Sequence, residues 1–169
     1  NAPAFSYRTM PGLIFKRTCS RLGIKVIRKK FRSESEAQRI LDDCLIKNQP
    51  VGCQVGVYYL TYFPKEYRFH FNAHNLVVYG KTDDRYLISD PVMEDTTSLT
   101  EFDLNRVRFA KGPLAPKGQL YYPQIENIVS DEKIVYAIKR GIKQNIRDML
   151  YIPGPIAGVS GIKYVAKKF

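Results

Sequence analysis

Two periods of apolar residues run through this chain, and each predicts its own kind of element. Between Ser33 and Leu45 the apolar positions Ala37, Ile40, Leu41, Cys44 and Leu45 fall at helical spacing, the stripe of a helix packed on one face. Ser33 followed by Glu36 supplies a capping box at its start. That periodicity puts Cys44 on the buried face. Residues 10–22 predict an earlier helix, with Pro11 in a first turn that tolerates proline and Gly23 as a left-handed stop. Thr100 and Asp103 cap a third, running to about Ala110. Asp131 caps a long amphipathic helix that reaches about Leu150 and stops before Pro153, and a short basic helix follows over 157–169.

Period two marks the strands. Residues 24–31 alternate apolar and basic side chains, as a short half-exposed strand does. Asn48-Gln49-Pro50 breaks the preceding helix, and 51–60 (VGCQVGVYYL) is rich in β-branched and aromatic residues, a strand that contains Cys53. An aromatic, turn-rich loop over 62–72 leads to His74. Residues 75–79 (NLVVY) and 85–89 (RYLIS) flank a turn at 80–84 and predict an antiparallel hairpin that Asp90-Pro91 ends. Residues 120–122 form a last strand. Helices first, adjacent strands in the middle and helices last argue for an α+β fold rather than a doubly wound parallel sheet. No internal repeat is visible.

With 169 residues, 44% of them hydrophobic and including 12 Tyr and 9 Phe, the chain can bury a core, which excludes a disordered or low-complexity protein. The longest weakly polar run, 151–162, is too short for a membrane span and is broken by Pro153, Gly154 and Pro155. No signal-peptide pattern is present at the start. Three cysteines, Cys19, Cys44 and Cys53, at wide spacing and without a CxxC pair, fit neither a disulfide framework nor a zinc ribbon. They point to ordinary buried thiols in a reducing, cytoplasmic compartment.

Charge is placed unevenly. Of 27 Lys+Arg and 16 Asp+Glu, residues 1–33 hold nine basic and no acidic ones, and 133–169 hold eight basic ones against Asp148 alone. Two basic ends flank a mildly acidic centre. One reading is a surface for an acidic partner: nucleic acid, anionic lipid or an acidic carrier protein. The other is a set of solvated helix faces.

Motif chemistry narrows the field mostly by exclusion. Residues 70–74 read HFNAH, without the Glu of a zinc-binding HExxH helix; GPIAGVSG at 154–161 lacks the Lys-Ser/Thr of a phosphate loop; and no GxSxG elbow exists. No metal or cofactor is expected. What remains is the hairpin. His74 opens one strand and Asp90 closes the next, so an antiparallel pairing sets them opposite each other at one end of the sheet. A carboxylate there can accept the imidazole's Nδ1–H, fix its tautomer and stabilise the imidazolium, the orienter–base half of a nucleophilic triad. Equally, Asp90 can cap its own turn through an Asx hydrogen bond while His74 is a half-buried aromatic.

The stretch QPVGCQVGVYYLTYFPKEYRFHFNAHNLVVYGKTDDRYLISDP (49–91) resembles the butirosin biosynthesis protein H family around the second half of its active site. The flanks FSYRTMPGLIFKRTCSRLGI (5–24), FDLNRVRFAKGP (102–113) and GPIAGVSGIKYVAKK (154–168) are similar as well, so the likeness covers nearly the whole chain, with 72–91 its most specific part. A weaker likeness runs to double-glycine leader peptidases, and both groups resemble papain-like cysteine enzymes. The resemblance implies a papain-like core over 1–126, a helical extension over 127–169, and thiol-dependent acyl transfer from a carrier-protein thioester to an amine, or amide hydrolysis. It makes His74 the general base and Asp90 its orienter, with an acidic acyl carrier protein and a small amine acceptor as partners.

The family's nucleophilic cysteine lies upstream of the Arg8-Thr9-Met10-Pro11-Gly12 region, and this sequence begins at Asn1 rather than at a Met. None of the three cysteines present is a good substitute: Cys44 faces a core, Cys53 is mid-strand, and Cys19, the nearest to adequate, is mid-helix. The expectation is therefore a nucleophile preceding Asn1, or a non-catalytic relative. Two alternatives stay open: a cysteine peptidase of the same architecture, and a binding module in which the basic ends and Tyr58, Tyr59, Tyr62 and Tyr67 grip RNA or single-stranded DNA. No RNP-type motif supports the second.

Overall fold

The structure is a computed structural model that describes residues 12–152, 154 and 157–168. Its elements run α1 (Leu13–Leu22), β1 (Lys25–Lys29), α2 (Glu34–Ile46), β2 (Val51–Val55), a one-turn 3-10 helix (Lys65–Tyr67), β3 (His74–Thr82), β4 (Arg85–Ser89), β5 (Thr97–Thr100), α3 (Glu101–Arg108), β6 (Leu120–Gln124), α4 (Asp131–Tyr151) and α5 (Gly158–Lys168). The six strands form one open sheet in the order β1-β6-β2-β3-β4-β5. The pairings of β2 with β3 and β6, of β3 with β4, and of β4 with β5 are all antiparallel. The protein is α+β. Pro11, expected in the first helical turn, and Phe169, at the expected end of the last helix, lie outside the described residues.

The chain divides into two compact units, residues 26–124 and residues 1–25 together with 125–169. In the first unit the alternation of β2 carries the packing. Val51, Cys53 and Val55 point into a core completed by Leu76, Val78, Tyr86, Ile88, Leu99 and Leu120 from the sheet. Ala37, Leu41 and Cys44 of α2 and Leu104 and Val107 of α3 close it, so the period-3.6 stripe and the period-2 alternation meet in one core. Ser33 caps α2 by accepting the Glu36 N–H, and Thr100 caps α3 by accepting the Asp103 N–H. Arg108, fully buried, ties α3 to α2 by donating to the Ala37 carbonyl and the Gln38 side chain.

On the other face of β2, Gly52 is a packing requirement rather than a flexible joint. It pairs with Tyr121 across the sheet, and a Cβ added there would run into the Tyr121 ring. The strand predicted to reach residue 60 leaves the sheet at Gly56 instead. The Gly56 N–H turns away from the ladder to the Val107 carbonyl, and the Val57 N–H goes to the Phe71 carbonyl. Residues 57–63 then wind through turns toward the sheet end where β3 begins.

In the second unit, α4 starts one residue earlier than a cap at Asp131 requires: Ser130 is the cap and accepts the Lys133 N–H. Arg17 of α1 pairs with Asp148 of α4 at 3.2 Å. No helix among the described residues is long and apolar enough to cross a membrane.

Candidate functional site

Strand register delivers the two hairpin residues to one place. His74 is the first residue of β3 and sits directly across from Val55, the last residue of β2. Asp90 follows the last residue of β4, Ser89, which faces Val77. Continuing that register by one residue sets Asp90 across from Leu76, on the face that Leu76 shares with His74. The two are thus diagonal neighbours rather than directly opposed.

A bulge decides which face Asp90 takes. Near the turn the pairs are Thr82 with Arg85, Lys81 with Tyr86 and Gly80 with Leu87, and the register shifts by one residue at Tyr79. Without that extra residue Asp90 would stand across from Val77, on the opposite face from His74. A one-residue slip turns a side chain to the other side of a sheet. The bulge brings the imidazole and the carboxylate to the same side.

Nε2 of His74 lies 2.7 Å from Oδ2 of Asp90. The side chain of Asp90 is fully buried and that of His74 is 13% exposed. Asp90 makes two contacts at once, one with each oxygen. Oδ1 accepts the Val92 N–H at 3.1 Å, closing the Asx turn, while Oδ2 receives His74. Burial on its own pushes the Asp90 carboxyl up, but the donors His74, Tyr62 and Val92 outweigh it and hold the pKa below the ordinary aspartate value. An ionised carboxylate can only accept, so Nε2 carries the proton of this hydrogen bond. The nitrogen that meets Asp90 is Nε2, not the expected Nδ1.

Tyr62 is the partner that sequence reasoning missed. Its hydroxyl donates to the same Oδ2 at 2.6 Å. Burial, then the hydrogen bond to Asp90 and its charge, push the Tyr62 pKa far up, so the phenol stays a donor. Nothing in an aromatic loop singles out one tyrosine among several; only the turn after Gly56 brings it back over the strand ends. Phe63, buried, stands edge-on to the imidazole with ring centroids 5.6 Å apart. Of the other tyrosines considered for nucleic-acid stacking, Tyr58 stacks on His70 at 4.1 Å and Tyr59 lies under the Arg106 guanidinium at 3.7 Å.

Tyr62→Phe removes one of the two donors on Oδ2 and leaves the ring packing intact. The expected result is an activity loss of about three- to tenfold, in keeping with one hydrogen bond to a charged group. On an Asp90→Asn background the same change should cost almost nothing, because the partner is gone. Independent, additive losses in that double-mutant cycle would show that Tyr62 does not act through Asp90.

His74 also lines a cavity of about 700 Å³, bounded mainly by apolar and aromatic side chains. No group of three or more potential metal ligands clusters among the described residues. All three cysteines are free and buried, and burial pushes each thiol up, away from the thiolate that nucleophilic attack needs. Cys53 is fully enclosed between Leu76 of β3 and Leu120 of β6. Cys44 keeps a raised thiol even with Tyr122 and Lys47 acting to lower it.

Residues 1–91 match the family model described as butirosin biosynthesis protein H, N-terminal, and residues 102–169 match a domain of unknown function (DUF4872). No curated protein matches the chain.

Proposed function

The chain belongs to the butirosin biosynthesis protein H family, and on that footing we propose that it supplies the general base and its orienter for thiol-dependent acyl transfer. The observation that carries this reading is the 2.7 Å contact between His74 Nε2 and a buried, ionised Asp90, which leaves Nδ1 outside that contact on a residue that lines the cavity. Such a pair, fixed in one tautomer, is what a triad asks of its base and orienter. A papain-like arrangement accommodates it, with the base on a strand of an antiparallel sheet and the thiol brought to Nδ1 from elsewhere.

The steps follow from the tautomer. Nδ1 takes the proton of a cysteine thiol as the sulfur attacks the carbonyl carbon of an acyl thioester. The imidazolium returns that proton to the departing carrier thiolate, leaving an acyl-enzyme. An amine then attacks the acyl carbon, passes its proton to Nδ1, and the cysteine thiolate leaves. Water in place of the amine gives hydrolysis by the same route. Asp90 keeps Nε2–H oriented throughout and stabilises each imidazolium without accepting its proton. Cys19, Cys44 and Cys53 are poor candidates for the thiol on the grounds of burial and raised pKa, so the reading assigns it to a residue other than these three.

The basic ends of the sequence suit an acidic acyl carrier protein as donor, with steering that weakens as salt rises. Turnover of an acyl-thioester donor with an amine acceptor by the intact protein, before and after His74→Ala, tests the reading. Equal turnover would refute it.

A further inference from the structure

We propose that the cavity beside His74 binds an uncharged, apolar acyl chain of medium length, an inference that rests on the acyl-transfer reading and names its donor group. The wall is built from Phe63, Phe69, Phe71, Val92 and Met93, with His74 at one side. Phe69 and Phe71 stack on each other with centroids 5.9 Å apart and present a continuous aromatic surface. Phe69, Phe71 and Val92 remain 58%, 40% and 64% exposed, so the concavity keeps an open apolar face on which a hydrocarbon can lie.

Charge selects among apolar ligands. Glu94 and Asp95 also line the cavity, and among the described residues no lysine or arginine does. A free fatty acid or a phosphorylated lipid would bring its anion against two carboxylates with nothing to neutralise it. An acyl group joined as a thioester carries no charge at its head and pays no such penalty. Its carbonyl carbon would lie near His74, within reach of the thiol that Nδ1 deprotonates, while the hydrocarbon lies on the phenyl rings. Taking about 30 Å³ for each carbon as for a water molecule, a ten-carbon chain occupies roughly 300 Å³. A cavity of about 700 Å³ holds that and leaves room for an acceptor.

The test uses N-phenyl-1-naphthylamine, a neutral fluorophore that brightens in apolar sites, displaced by S-acyl-N-acetylcysteamines from acetyl to decanoyl. The chain contains no Trp, so the background is low. Affinity should rise by about fourfold per added methylene. Phe71→Glu should weaken decanoyl binding tenfold or more and leave acetyl binding unchanged. Val92→Glu, at an exposed turn position, should do the same where Phe71→Glu folds poorly. A flat series, or a ladder that survives both charged substitutions, would overturn the proposal. His74→Ala separates this inference from the catalytic reading. The ladder should persist in that variant while transfer is lost, whereas a flat ladder beside lost transfer would sink the pocket assignment alone.

Discussion

If the protein performs the proposed acyl transfer, His74→Ala should lower its kcat/KM by about 10³-fold, a loss of roughly 4 kcal/mol of transition-state stabilisation. The size follows from the two tasks that rest on one ring. In the proposed route Nδ1 would take the proton from the thiol and later from the amine, and in its absence both steps would fall back on water. Substrate binding should change little, because His74 is one lining residue among many and apolar and aromatic side chains make up most of the wall. The loss therefore appears in kcat rather than KM. Added imidazole, small enough for a cavity of about 700 Å³, should restore part of the rate by supplying a ring nitrogen at the vacant position. A variant as active as the wild type, or one that imidazole leaves untouched while the fold stays intact, would count against His74 as the base.

Asp90→Asn should cost about 10²–10³-fold in kcat/KM and, separately, about 1–3 kcal/mol of stability at neutral pH. The amide cannot replace the carboxylate in either orientation. With its oxygen toward His74 and Tyr62, its NH2 faces the Val92 N–H; with its oxygen toward Val92, the NH2 faces two donors. The pH dependence has a definite sign. Asp90 has a pKa held below 3.8 in the folded protein, so its carboxylate stabilises the fold above the unfolded value and that contribution is lost as pH falls through the folded one. The gap between wild type and Asp90→Asn in urea denaturation should be full at pH 7 and should shrink below about pH 4. A gap that widened in acid would mean that Asp90 is not held ionised by these donors.

Much of this arrangement was legible before any coordinates. The period-2 stretches NLVVY and RYLIS around a short turn specified the hairpin, and a hairpin specifies which strand ends meet. The capping box at Ser33 and the stripe from Ala37 to Leu45 placed α2 with its buried face correct. Three features stayed hidden, each for a physical reason. The bulge at Tyr79 leaves no compositional mark, since an exposed aromatic in a strand fits either register, yet it decides the face that Asp90 occupies. The strand over 51–60 stops at Gly56 because that N–H finds the Val107 carbonyl, a long-range choice that local β propensity cannot anticipate. And β5, four residues ending on the cap of α3, is too short to show a period. Which imidazole nitrogen meets Asp90 depends on ring orientation and lies beyond any pattern of residue types.

Intact-mass spectrometry of the protein mixed with an acyl thioester in the absence of amine reads the base function at the step where it acts. With the cysteine nucleophile that the reading requires present, the His74–Asp90 account predicts that one acyl group accumulates, that peptide mapping places it off Cys19, Cys44 and Cys53, and that His74→Ala slows its appearance about 10³-fold. An adduct that forms equally fast in both proteins, or that sits on one of those three buried thiols, would contradict it.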